Sequence, residues 1–167
     1  MNKKTLFITQ AAAIAALYVI LTLIANAFGL ANYAIQVRFS EALTILPFFT
    51  PAAIPGLFVG CIVSNTLTGC MLLDTIFGSI ATLIGAFGTY FISNALKHSN
   101  ASRYLATLPP IVSNTIIVPF VLAYVYKFEG SIPYFMLTVG IGEIISCGIL
   151  GIILLHTLNP RKDIIFK

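Results

Sequence analysis

The chain is 167 residues long, with 59% hydrophobic residues, 8% charged residues and a mean hydropathy of +1.01. Soluble domains carry roughly 25% charged residues and disordered chains combine low hydrophobicity with high charge, so both classes are excluded. The net charge of +4 comes from nine Lys and Arg against five Asp and Glu, with no dense basic block. That excludes a nucleic-acid binder and leaves an integral membrane protein of one compact domain, residues 1–167.

A spanning helix needs about 20 mostly apolar residues. The first such stretch is Leu6–Phe28, behind Lys3 and Lys4. A signal peptide is the competing reading, because Ala25-Asn26-Ala27 has the small residues of a cleavage site. The apolar run exceeds a usual signal core, which favours a retained span. Residues 29–38 read as a polar loop. Pro51 and Pro55 then interrupt the next apolar stretch, giving a short second span, Phe39–Phe49, and a third, Ala52–Leu73. Asp74 is expected to cap a fourth, running to Leu96, since its carboxylate accepts from the free N–H groups of a first turn. After the hydrophilic run Lys97–Arg103 come a fifth, Tyr104–Tyr126, and a sixth, Ile132–Leu158.

The expected fold class is therefore an all-α integral membrane protein with six transmembrane helices. With a cytoplasmic N-terminus, the inside receives Lys3, Lys4, Lys97, Arg103, Arg161, Lys162 and Lys167, and the outside only Arg38 and Lys127. Positive residues favour the inside, which places both termini in the cytoplasm.

Helices already in hydrocarbon pack through close approach of small residues. The first span offers Ala11, Ala12, Ala13, Ala15 and Ala16, the fourth Gly78, Ala81, Gly85 and Gly88, and the sixth Gly140, Cys147 and Gly151. Internal packing is the reading for the last two stripes, whereas the alanine patch suits docking. Cys61, Cys70 and Cys147 have unrelated spacings in apolar segments and read as small packing residues rather than metal ligands.

Ionisable groups at membrane depth are expensive and usually face a bundle interior or wet cavity. Glu143 lies about eleven residues into the sixth span without a cation nearby in sequence, on the face of Gly140 and Cys147. Asn114 sits at matching depth in the antiparallel fifth span, so the two either satisfy each other or bind a ligand. Arg38 and Glu41, three apart, either pair across one turn or face a polar ligand. His98 and His156 read as bystanders. The chain contains no phosphate-binding G-x-x-x-x-G-K-[ST] loop, no H-E-x-x-H and no G-x-S-x-G, which removes the ATPase, zinc-protease and hydrolase motifs.

The run Val37 to Gly60, VRFSEALTILPFFTPAAIPGLFVG, followed by DTIFGSIATL from Asp74 to Leu83, resembles the QueT family. These are S-components of energy-coupling factor (ECF) transporters, assigned to queuosine precursors. The resemblance covers nearly the whole chain and implies an S-component-like bundle, not an enzyme, in the plasma membrane of a prokaryote. It implies no cofactor of its own, because ATP is used by partners: a T-component and two ATPase subunits. It also implies docking to the T-component through Ala11, Ala12, Ala15 and Ala16. Other outcomes are an S-component for another water-soluble vitamin, or a small membrane enzyme or assembly factor.

A queuosine precursor is a planar 7-deazaguanine with adjacent N–H donors beside a carbonyl. A carboxylate is the matching bidentate acceptor, which makes Glu143 the expected reader of that edge. Asn114, donor and acceptor at once, reads the carbonyl or the pyrrole N–H. Arg38, Glu41, Tyr33 and Gln36 orient the 7-substituent.

Overall fold

The computed structural model describes residues 2–30, 36–96, 99 and 101–166. Tyr33, expected at the site, lies outside the described residues. Every element described is helical. Helix α1 (Lys3–Ala27) is followed by a 3-10 helix (Phe39–Phe48), α2 (Ala53–Leu67) and α3 (Leu72–Ala95). The short α4 (Ser102–Leu105) leads into α5 (Leu108–Tyr124). A final continuous run comprises α6 (Ile132–Glu143), a π-helical stretch (Ile144–Leu150), α7 (Gly151–Leu158), a 3-10 turn (Asn159–Arg161) and α8 (Lys162–Ile165). Four helical runs are long and apolar enough to cross a membrane: Lys3–Ala27, Leu72–Ala95, Ser102–Tyr124 and Ile132–Ile165.

Six segments run alternately between two ends of the bundle. At one end Gln10 of α1 donates to the Ile165 carbonyl at 3.3 Å and accepts from Thr50 at 3.0 Å, while Ser93 of α3 donates to the Phe48 carbonyl at 2.9 Å. Both chain ends therefore lie on the same side. At the other end Tyr126, beyond α5, bonds Asp74 at the start of α3. Two turns there follow from glycine. Gly29 and Gly69 take φ of 72° and 75°, a region open to glycine at no steric cost. In each case the next residue's N–H reaches back five residues, Leu30 to Ala25 and Cys70 to Asn65. This double closure satisfies the last carbonyls of α1 and α2, and it ends α2 at Leu67 rather than at the expected Leu73.

The second crossing departs most from expectation. It is a 3-10 helix of ten residues, about 20 Å at the 3-10 rise of roughly 2 Å per residue, and falls short of the roughly 30 Å hydrocarbon layer. Pro47 has no N–H to continue an α-helical ladder, and Thr44 bonds back to the Glu41 carbonyl at 2.6 Å. The segment is enclosed rather than lipid-facing: Ser40, Glu41 and Leu43–Pro47 are all buried, packed among α1, α2, α3 and α7. Extended backbone precedes it at residues 36–38. Non-helical backbone is tolerated at membrane depth only where protein or a wet cavity surrounds it. Here Val37 N–H bonds the Leu30 carbonyl at 3.2 Å and Arg38 N–H bonds Ser146 Oγ at 3.2 Å.

Glycine and alanine set the helix spacings. A Cβ on Gly85 or Gly88 of α3 would fall 2.6 Å and 2.4 Å from Pro110 and Pro109 of α5. On α2, a Cβ on Gly56 would meet the Ala11 carbonyl at 2.7 Å, and one on Gly60 would meet Tyr18 Cβ at 2.8 Å with Ala15 beside it. The alanine patch of α1 is thereby divided. Ala11 and Ala15 face α2, whereas Ala12 and Ala16 are exposed. Helix α1 is peripheral, with 17% of its most apolar stretch buried against 44% in each of the other three long runs. Gly60→Val should force α1 from α2 and lower stability by about 1–3 kcal/mol, read as an earlier thermal unfolding of the detergent-solubilised protein. Ala12→Val should leave that transition unchanged.

Candidate substrate-binding site

The polar residues of the second crossing are satisfied by neighbours on three helices. Glu41, 2% exposed, accepts at Oε1 from the Tyr18 hydroxyl of α1 and at Oε2 from Asn114 Nδ2 of α5 at 3.5 Å. No ion pair joins Arg38 to Glu41 among the described residues, and Asn114 is shared between the two acids, donating to Glu41 and lying within reach of Glu143. One turn toward the cavity, Thr22 of α1 donates to Ser40 at 2.8 Å. Glu143, 8% exposed, accepts at Oε2 from the Cys147 thiol at 3.0 Å. Cys147 in turn receives the Thr44 hydroxyl at 3.3 Å, so this cysteine is a polar linker between the last helical run and the 3-10 helix, not merely a small packing residue.

One oxygen or sulfur atom each from Glu41, Glu143 and Cys147 lies within 4.8 Å of the others. That is a metal-like donor set by composition, yet all three already have hydrogen-bond partners, and the thiol acts as a donor rather than as the thiolate a metal would need.

The backbone makes this convergence possible in two ways. A Cβ on Gly142 would stand 2.1 Å from the Gln36 carbonyl oxygen, so only glycine lets the extended 36–38 segment lie across α6. Immediately after Glu143 the helix widens to π geometry over Ile144–Leu150, a distortion frequent at functional sites. Gly151 then comes to lie against the 3-10 helix, where an added Cβ would stand 3.7 Å from the Ala42 carbonyl oxygen and 3.8 Å from Ile45 Cβ.

Two connected spaces result. A wide cavity of about 650 Å³ opens at the end away from the termini. Its polar lining includes Thr22, Asn26, Gln36, Arg38, Asn65, Asp74 and Tyr126, with Phe128, Tyr134 and Phe135 supplying aromatic walls. Beneath it lies a recess of about 20 Å³ bordered by Gln36, Arg38, Glu41, Asp74, Asn114 and Glu143. Five of the six expected site residues thus meet around one recess, and Gln36 and Arg38 also border the cavity. The recess has room for about one water, so a flat bicyclic guest fits only in the cavity above.

Asp74 does not cap α3. The N-cap is Met71, Asp74 is the third helical residue, and its Oδ2 accepts from the Tyr126 hydroxyl at 2.8 Å. Sequence reasoning favoured a cap for Asp74 and interfacial anchoring for the aromatics around Tyr126, and it missed Asn65 altogether, for which an amide in the mostly apolar Ala53–Leu67 was the available signal.

The family profile described as QueT transporter matches residues 8–160. The chain belongs to the QueT transporter family. A relative in the QueT family, the Queuosine precursor transporter QueT of Lactococcus lactis subsp. cremoris (strain MG1363), is 29% identical over 168 residues, covering 98% of this chain and 98% of its own. No solved structure matches. As a QueT family member the chain is a multi-pass transport protein rather than an enzyme.

Tyr18→Phe removes the donor to Glu41 Oε1 and leaves a buried carboxylate oxygen unpaired. It should destabilise the protein by about 1–3 kcal/mol, measured as a lowered thermal midpoint in detergent. An unchanged midpoint would show that the Tyr18–Glu41 bond does not hold the second crossing in place.

Proposed function

We propose that this protein is the substrate-capturing S-component of an ECF-type importer, and that it takes a queuosine precursor of the 7-deazaguanine type from outside the cell. The observation that carries the reading is the wide cavity of about 650 Å³, aromatic-walled and polar-floored, in a chain otherwise built to face lipid. Ligand sites for small molecules are concave spaces of about this size with few, placed polar groups. The name of the Lactococcus relative supplies the substrate class.

Charge supports the orientation. The end carrying both termini holds Lys3, Lys4, Arg103, Arg161 and Lys162, whereas Lys127 lies at the cavity end and Arg38 inside. Placing the basic end in the cytoplasm opens the cavity outward, in the plasma membrane of a prokaryote. Glu143, with Glu41 and Asn114 behind it, then accepts from the ligand N–H that reaches the recess, and Gln36 and Arg38 hold the ring above. An aromatic-walled mouth suits stacking on a flat base.

Energy comes from partners: a T-component and two ATPase subunits, docked at the exposed Ala12 and Ala16 of the peripheral α1. These small side chains permit close helix approach.

Calorimetric titration of the purified chain with 7-cyano- and 7-aminomethyl-7-deazaguanine tests the substrate. Binding of at least one is expected, and failure of both to bind would overturn the reading. Glu143→Gln should weaken binding at least ten-fold, because an amide presents a mismatched group to a buried donor. Ala12→Leu with Ala16→Leu should abolish uptake and co-purification of the ATPases while sparing binding. Retained uptake in that double variant would remove the docking face.

A further inference from the structure

The wide cavity contains an acid and an amide that the recess leaves unemployed. Asp74, 6% exposed, borders both spaces from the first turn of α3. Its Oδ2 holds the Tyr126 hydroxyl. Its Oδ1 and the Asn65 Nδ2 both stand near Gly78, 3.7 Å and 3.3 Å from where a Cβ there would lie. Glycine at 78 thus keeps open the ground between these two side chains. Asn65 is 2% exposed. Its Nδ2 is engaged with Cys61 Sγ at 3.6 Å, while its Oδ1 takes no hydrogen bond among the described residues, and the side chain lines the cavity. This amide oxygen is free to accept a donor from a molecule in the cavity.

Building on the reading of the cavity as a 7-deazaguanine site, we propose that Asp74 and Asn65 are the specificity-determining acceptors for the ligand's N1–H and 2-amino edge. That edge carries three N–H bonds in one plane. The ring N–H and one amino N–H run parallel and match the two oxygens of a carboxylate. The other amino N–H points aside and needs a separate acceptor, which Asn65 Oδ1 supplies. The adjacent carbonyl needs a donor, and Arg38 borders the same space. This moves the paired-donor edge away from Glu143, whose recess of about 20 Å³ admits one N–H and not two abreast. The pyrrole N–H, at the far end of the ring, is the donor left for Glu143. A ring with an acceptor in place of N1–H sets a lone pair against Asp74, and sites built to receive a donor reject analogues lacking it strongly.

Calorimetry on the full chain with 7-aminomethyl-7-deazaguanine and with its analogue lacking the 2-amino group tests the assignment. The wild type should favour the parent compound at least ten-fold. Asp74→Asn should bind the parent at least ten-fold more weakly and lose most of that preference, and Asn65→Leu should lose part of it. Tyr126→Phe frees Oδ2 of its internal donor and should tighten parent binding about two-fold. Thermal unfolding of each variant separates lost binding from lost fold. Wild-type affinity and wild-type preference in Asp74→Asn would overturn the assignment while leaving the cavity reading intact. A ten-fold loss in Tyr126→Phe would also overturn it, by making Asp74 a structural partner of the tyrosine. Failure of the wild type to bind either compound would overturn the cavity reading and this assignment together.

Discussion

The structure depends on one constraint: a segment that crosses the membrane without α-helical hydrogen bonding must find its partners inside the protein. The 3-10 helix Phe39–Phe48 and the extended residues before it cannot face lipid, where unsatisfied backbone groups cost several kcal/mol each. They are therefore wrapped by α1, α3 and the last helical run, and their polar groups are met by Tyr18, Thr22, Asn114, Ser146 and Cys147. The same wrapping brings side chains from helices distant in sequence to one depth. The site is a by-product of satisfying this strand of backbone.

Three buried carboxylates, Glu41, Asp74 and Glu143, border one small recess, an expensive arrangement at membrane depth. Membrane proteins retain intramembrane acids chiefly for function, and internal donors hold Glu41 from α1 and α5 while Glu143 meets the Cys147 thiol and lies near Asn114. The division is physically sensible. One acid holds the second crossing against α1 and α5, and the other keeps acceptor capacity at the bottom of the cavity.

Small residues serve two purposes that sequence spacing cannot separate. Gly56, Gly60, Gly85 and Gly88 bring helices into contact closer than any Cβ allows, whereas Ala12 and Ala16 lie exposed on the same helix whose Ala11 and Ala15 are engaged. The peripheral helix thus packs one small-residue face inside the bundle and leaves another open.

The sequence by itself determined membrane residence, the all-helical class and the approximate positions of the long apolar helices, and it singled out Glu143, Asn114, Arg38 and Glu41, which converge on one recess. These follow from hydropathy over 20-residue stretches and from the cost of isolated charge in lipid, both properties of local sequence. It did not determine the 3-10 form of the second crossing, because Phe39–Phe48 is as apolar as a lipid-facing helix and only its enclosure distinguishes it. Nor did it determine the partners within the site. Asp74 looks like a cap until Tyr126, 52 residues away, is seen to claim it, and Asn65 looks like an ordinary helix residue until Gly78 and Asp74 are beside it. Which polar groups meet, and which acid faces open space, depends on how the helices rotate about their axes. That rotation is set by the summed packing of distant side chains and leaves no periodic signature in the chain.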